Sequence, residues 1–188
     1  MRILITGTTG GIGGAVKRAA LAAGHAVVEV NRGDFADLSS LGTVPFDGVV
    51  FTTGMCPVKP LTALTDAEFG ETFRVNCGLF VKLMRKVVAA KLNSPAGLKV
   101  VAVSSVSATE GWAGGAAYCA SKGALSAVCR ALDAELGPKG ISVVALEPRY
   151  VKTRMFDAGA GRMGVDPSLA QSPEDFAAEI LTSLSPKA

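Results

Sequence analysis

Thr6-Gly7-Thr8-Thr9-Gly10-Gly11-Ile12-Gly13 decides the fold, because it joins a short apolar run to the beginning of a helical pattern. The run before it, Arg2–Thr6, is apolar at three consecutive positions, as strands buried on both faces are. A helix that begins in such a turn offers unpaired N–H groups and the positive end of its dipole, and glycines let an anion approach the backbone closely. The stretch therefore predicts a strand, a turn and a helix that together bind the diphosphate of a dinucleotide.

Strands and helices are predicted to alternate along the rest of the chain. Further apolar runs occur at Ala26–Val30, Gly48–Thr53, Leu98–Val103 and Ile141–Leu146. Helical patterns begin at Gly11, run from Asp66 to Leu92 and from Ala116 to Leu136, and begin again at Ser172. Parallel strands need crossover connections, and crossover helices cover both faces of the sheet. We therefore predict an α/β fold, a doubly wound parallel sheet of the Rossmann type.

Two parts of this predicted sheet are short. Between the second strand and Gly48 there is room for only a turn or two, which includes Asp34 and Pro45, so a full crossover helix is not expected. Any strand near Phe35 must be very short. Few residues follow the helix at Ser172, so the strand that usually completes such a sheet is expected to be missing.

Composition limits the classes of protein that need to be considered. A chain of 188 residues, 49% hydrophobic, suffices for one well-buried core, so residues 1–188 are expected to form one domain. The formal net charge of +3 comes from scattered residues, which favours neither a nucleic-acid nor a membrane partner. The four cysteines lack metal-binding spacing, so we expect free thiols, no metal site and a cytoplasmic protein.

Three polar residues are spaced as in a known enzyme family. Tyr118-Cys119-Ala120-Ser121-Lys122 has the form YxASK, and Ser105 lies upstream of Tyr118 at the family's distance. Asn76, in a predicted helical segment, matches the asparagine that the family has in this helix. The turn after the first strand has the form TGxxxGxG. From residue 2 to about residue 156, the chain resembles the short-chain dehydrogenase/reductase family.

This resemblance implies a nicotinamide-dependent oxidoreductase with Asn76, Ser105, Tyr118 and Lys122 as catalytic residues. Transfer of a hydride between nicotinamide and a carbonyl carbon requires a matching proton transfer at oxygen, which Tyr118 would perform. Lys122, one helical turn away, would lower the pKa of the phenol. Ser105 would donate a hydrogen bond to the substrate oxygen, and Asn76 would hold a water molecule that relays protons.

The residues after the second strand bear on the choice of cofactor. An acidic residue there accepts from the 2′-OH of NAD, whereas an arginine accommodates the 2′-phosphate of NADP. Asn31 and Arg32 occupy this place, so NADP is favoured and NAD stays possible. The resemblance adds Asp37 and Leu38 beside the adenine and Thr153 at the carboxamide. The remaining predicted cofactor residues are Gly7, Thr9, Gly11, Ile12, Gly13, Thr53, Gly54, Tyr118, Lys122, Pro148 and Val151.

Departures from the family pattern keep other functions open. Phe51-Thr52-Thr53-Gly54 stands where the family has Asn-Asn-Ala-Gly, and Arg149 replaces the glycine after Pro148. We predict a reductase of a small carbonyl compound or its alcohol. A dinucleotide-binding sensor with weak catalysis is the alternative, and a third possibility is an epimerase or dehydratase, although these normally have a larger C-terminal region. Residues 153–171 are expected to form a mobile lid over the substrate.

The resemblance also implies a homodimer or homotetramer, because the helices from Asp66 to Leu92 and from Ala116 to Leu136 make the family's usual subunit contact. Apolar residues available for such a contact are Phe73, Phe80, Leu125 and Val128. The same residues could instead face their own sheet, so the oligomer rests on analogy.

Overall fold

The sheet has five parallel strands in the order β2-β1-β3-β4-β5, in a computed structural model that describes residues 1–42, 44–91 and 97–185. The strands are β1 (Arg2–Thr6), β2 (Ala26–Val30), β3 (Gly48–Phe51), β4 (Leu98–Val103) and β5 (Ile141–Leu146). The helices are α1 (Gly11–Ala22), α2 (Asp66–Phe73), α3 (Leu79–Lys91), α4 (Ala116–Leu136), α5 (Arg154–Met163) and α6 (Pro173–Leu184). The predicted α/β fold, a doubly wound parallel sheet of the Rossmann type, is confirmed.

Each face of the sheet has its own hydrophobic cluster, because successive side chains of a strand point to opposite faces. Ile3 and Ile5 are fully buried with residues of α1 and α6. Leu4 is fully buried in the other cluster, with residues of α3 and α4. The central strands therefore lie between two helical layers, which explains why they are apolar at almost every position.

The third strand is shorter than predicted. The sequence predicted it to extend to Thr53, and this was wrong for the last two residues. It ends at Phe51, and the backbone N–H groups of Thr52 and Thr53 bind Thr6 Oγ1, at 3.0 and 3.2 Å. A side-chain oxygen thus replaces the neighbouring strand as the hydrogen-bond acceptor. The chain is released from the sheet at this point and turns towards the carboxyl ends of the strands.

The connection between β2 and β3 is as short as the sequence predicted. Its described residues form two 3-10 turns, Arg32–Ala36 and Ser39–Leu41, and no strand. The first turn is closed by a capping box in which the Asn31 backbone N–H donates to the Asp34 carboxylate at 2.7 Å. Phe35 is buried against the ring of Phe51, which fixes the connection to the core.

The helix predicted from Asp66 to Leu92 is divided in two, and Leu92 lies outside the described residues. A π-helical turn, Arg74–Gly78, separates α2 from α3. Such turns insert one extra residue into a helix and occur often at functional sites. The helices predicted at Ala116–Leu136 and after Ser172 are confirmed, and the Ser172 hydroxyl caps α6 by accepting from the Asp175 N–H at 3.0 Å.

Residues 153–171 contain α5 and a 3-10 turn, and the two ends of this segment are joined. Gln171 N donates to Tyr150 O at 3.1 Å, and Lys152 N donates to Gln171 O at 2.9 Å. Phe156 is buried against the ring of Tyr150. The segment covers the carboxyl ends of the strands, where a lid would lie. Its mobility stays a prediction.

Two of the four residues predicted for a subunit contact are in the core. Phe80 and Leu125 are fully buried among residues of the sheet and helices, so they are not available to a partner. Val128 packs against the same cluster, whereas Phe73 is exposed. After β5, the described residues form no further strand, as the sequence predicted. In the same part of the chain, no helix is both long and apolar enough to cross a membrane.

Candidate active site

A cavity of about 790 Å³ opens at the carboxyl ends of the strands, next to β1. In the sheet, β1 has β2 on one side and β3 on the other, so the chain changes direction across the sheet here. Ligands bind at this place in open α/β sheets. Most residues predicted for the site line this cavity: Gly7, Thr9, Gly11, Ile12, Gly13, Asn31, Arg32, Thr53, Gly54, Ser105, Tyr118, Lys122, Pro148, Val151 and Thr153. Asn76, Asp37 and Leu38 are absent from its lining.

The glycine-rich turn leads from β1 into α1 and forms one end of the cavity. Gly7 has a φ of 66°, a conformation that glycine adopts readily, and its carbonyl accepts from Gly10 N at 2.9 Å. Gly13 packs so closely that a Cβ there would lie 2.6 Å from Thr52 Oγ1 and closer still to Gly7 O. The backbone N–H groups at the beginning of α1 are thereby exposed to an anion.

Thr6 and Thr52 join this turn to the end of β3. The Thr52 hydroxyl donates to Thr6 O at 2.6 Å, while Thr6 Oγ1 accepts from the backbone of residues 52 and 53. Sequence analysis did not identify either threonine as part of the site. The only available signal was the replacement of an asparagine by Thr52, and that signal did not reveal which partner the hydroxyl would find.

Asn76 lies in the π-helical turn, fully buried, and its amide holds the loop that follows β3. Its Oδ1 accepts from Met55 N at 2.8 Å, and its Nδ2 donates to Met55 O at 2.9 Å and to Ser121 Oγ at 2.8 Å. A Cβ on Gly54 would lie 3.4 Å from Asn76 Oδ1 and 3.8 Å from Lys122 Nζ. Asn76 thus fixes the cavity wall next to Lys122, and its predicted role in a water relay stays a prediction.

Replacing Asn76 by Ala is expected to lower the free energy of unfolding by about 1–3 kcal/mol, because two partly buried backbone groups of Met55 would lose their partners. Urea denaturation measures this loss. Ser121→Ala is the control: it removes one of the three Asn76 hydrogen bonds, together with the bond that Ser121 Oγ donates to Tyr118 O, leaves both Met55 bonds in place and should cost less. Equal stability of Asn76→Ala and the wild-type protein would contradict this structural role.

Lys122 comes from the first half of α4 and reaches the end of β4. Its Nζ donates to Val103 O at 2.7 Å and lies 5.6 Å from the centre of the Tyr118 ring. Burial lowers the pKa of Lys122 to about 8, since the ammonium ion loses most of its hydration. At neutral pH the side chain is still mostly charged, so a cation lies over the face of the Tyr118 ring; its predicted catalytic role stays a prediction.

Tyr118 lies one helical turn before Lys122 and lines the same cavity. Burial raises its pKa above the ordinary value, and the hydrogen bond with Ser105 acts in the opposite direction. The net shift is upward because the loss of hydration outweighs the hydrogen bond with Ser105, and a lowering of this pKa by Lys122 stays a prediction. The phenol is protonated at neutral pH.

Ser105 lies just beyond the end of β4, with its hydroxyl near Tyr118. Its Oγ accepts from Ser107 N at 3.1 Å, an interaction that caps the 3-10 turn Val106–Ala108. The ring of Trp112 packs 6.3 Å from that of Tyr118, and its Nε1 donates to Ser107 Oγ at 3.1 Å. The turn and the indole together hold Ser105 and Tyr118 in one corner of the cavity.

Arg149 and Glu110 form an ion pair at the rim of this corner. The guanidinium donates two hydrogen bonds to the carboxylate, at 2.7 and 3.1 Å, although both side chains are more than half exposed. The pair joins the loop after β4 to the loop after β5. Arg149 had been noted from the sequence as a departure from the family pattern, but its partner, far away in the chain, was not predicted.

At the other end of the cavity, Arg32 begins the short connection after β2 and is exposed. Glu29 is engaged elsewhere, since Lys17 Nζ binds its carboxylate at 2.6 Å and the Thr8 hydroxyl donates to it. Asp37 accepts from the backbone and hydroxyl of Ser39, at 2.7 and 2.8 Å, and its predicted adenine contact stays a prediction. Leu38 is buried in the core.

Known proteins resemble this chain in sequence and in fold. The sequence pattern of the short chain dehydrogenase family matches residues 39–162. L-xylulose reductase of Bos taurus is 30% identical over 182 residues, which cover 84% of this chain and 74% of the relative. Carbonyl reductase [NADPH] 2 of Sus scrofa is 29% identical over 196 residues, or 91% of this chain and 78% of the relative.

A solved structure of 4-hydroxyisoleucine dehydrogenase complexed with NADH has the same fold. Its TM-score to this chain is 0.87 at 21% identity, with 98% of this chain and 90% of that chain covered. The family pattern extends over most of the chain, and the bovine relative is aligned over nearly three quarters of its length. On these grounds the protein belongs to the short-chain dehydrogenase/reductase family of NAD(P)-dependent oxidoreductases.

Proposed function

We propose that the protein is an NADP(H)-preferring reductase of a small carbonyl compound, with Tyr118 as the acid and base. One observation carries the proposal: Tyr118, Ser105 and Lys122 meet in the cavity whose other end is the glycine-rich turn. A dinucleotide that binds with its diphosphate at the turn would extend along the same cavity towards this corner. The related carbonyl reductase [NADPH] 2 supports the choice of substrate and cofactor.

The residues of the cavity fit a dinucleotide. Gly7 and Gly13 leave the backbone open at the beginning of α1, and the methyl group of Thr153 lies against Gly11. Among the described residues, the buried Thr53 Oγ1 has no hydrogen-bond partner. A polar atom of this kind is costly to bury unless a ligand or water binds it. The glycine-rich turn and Thr53 would hold the diphosphate and ribose groups.

When bound, the reduced nicotinamide supplies the hydride that goes to the carbonyl carbon. The protonated phenol of Tyr118 then donates a proton to the carbonyl oxygen, and Ser105 donates a hydrogen bond to the same atom. The ammonium of Lys122 stabilises the phenolate that is left. The ordinary pKa of a phenol is about 10 and burial raises it here, so the hydroxyl is in the proton-donating form at neutral pH.

The experiment that tests the proposal is a measurement of NADPH and NADH oxidation with ketones, aldehydes, diketones, quinones and 3-oxoacyl thioesters. Turnover of at least one carbonyl class, faster with NADPH, is the expected result. Calorimetric titration with both cofactors accompanies the assay. Tight binding without turnover of any compound would favour the dinucleotide-binding sensor instead, and binding of neither cofactor would overturn both functions.

Arg32→Ala is expected to weaken NADPH binding about 10- to 100-fold, because the 2′-phosphate would lose a charged hydrogen-bond donor. NADH, which lacks this phosphate, should bind the variant as it binds the wild-type protein. Arg130→Ala, on an exposed part of α4 outside the cavity, is the control for loss of one positive charge. An equal loss for both cofactors in Arg32→Ala would show that Arg32 does not read the phosphate.

A further inference from the structure

A second cavity, of about 580 Å³, lies next to the first and shares Arg32 with it. Arg74, from the π-helical turn, and Lys82, from α3, also line it. We propose that Arg74 and Lys82 act with Arg32 to bind the phosphate that distinguishes NADP from NAD. This inference rests on the dinucleotide binding proposed above and assigns two further residues to the specificity of that site.

The short connection between β2 and β3 brings these three cations together. The described residues of this connection form no crossover helix, and the 3-10 turn Arg32–Ala36 contacts α3 directly. Lys82 Nζ donates to Phe35 O at 2.6 Å and to Ala36 O at 3.4 Å, which ties the turn to the helix. Lys82 thus holds the segment that begins with Arg32 and places its own charge at the wall of the second cavity.

Within the described part of the chain, Arg74 is held by one edge of its guanidinium. Its Nε and Nη2 donate to the Glu71 carboxylate at 2.6 and 2.7 Å, which leaves the Nη1 edge as a donor for another anion. Arg32 is near enough for its charge to help lower the pKa of Glu71, after the larger effect of Arg74. The lining of the second cavity therefore contains three cations, and Glu71 compensates one of them.

This arrangement fits a compact anion with two negative charges. A phosphate monoester accepts hydrogen bonds at three oxygens and is bound well by arginines that approach from different sides. The 2′-phosphate of NADP is the part of the cofactor that extends beyond the end of β2, where Arg32 connects the two cavities. Glu71 competes with the phosphate for Arg74, so its charge should weaken binding.

Two substitutions at one ion pair test the inference, because they should act in opposite directions. Arg74→Gln is expected to weaken NADPH binding about 5- to 10-fold, since a donor to the phosphate is lost. Glu71→Gln is expected to strengthen it about 2- to 5-fold, since Arg74 is released. Both variants should bind NADH as the wild-type protein does, and calorimetric titration measures all these dissociation constants.

Arg85→Gln is the matched control, because it removes one charge from the same region of α3 without touching the lining of the second cavity. It should change NADPH binding less than twofold. Weaker NADPH binding by Glu71→Gln, or equal effects of Arg74→Gln on NADPH and NADH, would overturn the inference. The inference would also be overturned if Arg74→Gln bound NADPH with unchanged affinity while Arg32→Ala bound it more weakly. That result would leave the proposed function intact.

Discussion

Tyr118→Phe is expected to reduce kcat of carbonyl reduction by about 100- to 10,000-fold, the contribution typical of a positioned general acid. The substitution removes one oxygen atom, and Phe retains the ring that packs against Trp112. The hydroxyl is the donor that shares a corner with Ser105 and Lys122, so no other tyrosine can replace it there. NADPH binding should change far less than kcat, because the lost hydroxyl is at most one of the many contacts predicted for the cofactor.

Tyr150→Phe provides the control, since Tyr150 is the chain's second tyrosine and lines the same cavity. Its ring packs against Phe156, and loss of its hydroxyl should leave kcat within about threefold. Initial rates of NADPH oxidation and the unfolding temperature are compared for both variants. If Tyr118→Phe kept more than about a tenth of the wild-type kcat, Tyr118 could not be the proton donor.

Gly13→Ala is expected to abolish cofactor binding and to destabilise the protein by about 1–3 kcal/mol, as overpacking of a filled site does. A Cβ at this position would lie 2.6 Å from Thr52 Oγ1 and 2.7 Å from Gly7 C. Both atoms belong to rigid parts, because Thr52 is bound to Thr6 and Gly7 is bound to Gly10. The turn must open to admit the methyl group, and the N–H groups that bind the diphosphate move with it.

The same substitution at Gly70 should have the opposite effect on stability. Gly70 lies inside α2, and a Cβ there would meet no atom within 4 Å. Alanine should stabilise the helix by up to about 1 kcal/mol and leave NADPH binding unchanged. Urea denaturation and calorimetric titration measure both effects. NADPH binding by Gly13→Ala at wild-type affinity would mean that the diphosphate does not bind at this turn.

Much of the candidate active site could be predicted because the family resemblance names its residues and local geometry relates their positions. Tyr118 and Lys122 are one helical turn apart, so they must share a face of α4 wherever that helix lies. Ser105 follows a buried strand and must emerge at the carboxyl edge of the sheet, where ligands bind. These placements need only the periods of helices and strands, and the structure brings all three residues into one cavity.

The subdivision of the Asp66–Leu92 helix shows where such reasoning ends. A π-helical turn shifts the pattern of hydrophobic residues by only one position relative to an α-helix. The hydrophobic periodicity of the sequence therefore does not reveal such a turn. What decides it is the burial of Asn76 against Met55 and Ser121, residues that are distant in the chain. The sequence likewise could not place Phe80 and Leu125, which were predicted for a dimer contact and lie in the core. Apolar side chains on a helix suit a core and an interface equally well.

By itself, the sequence predicted the parallel sheet and the glycine-rich turn from the order of elements, and the set Ser105, Tyr118 and Lys122 from its resemblance to the family. Only the tertiary structure decided the environment of these groups. The raised pKa of Tyr118 arises from burial by residues remote in the chain. Thr52 donates a hydrogen bond to Thr6, and Arg32 and Arg74 line the same cavity. Both arrangements depend on which distant segments of the chain become neighbours. The hydration of a group and its interactions with charges change when its neighbours move by a few ångströms. These positions are fixed only by the packing of the whole fold.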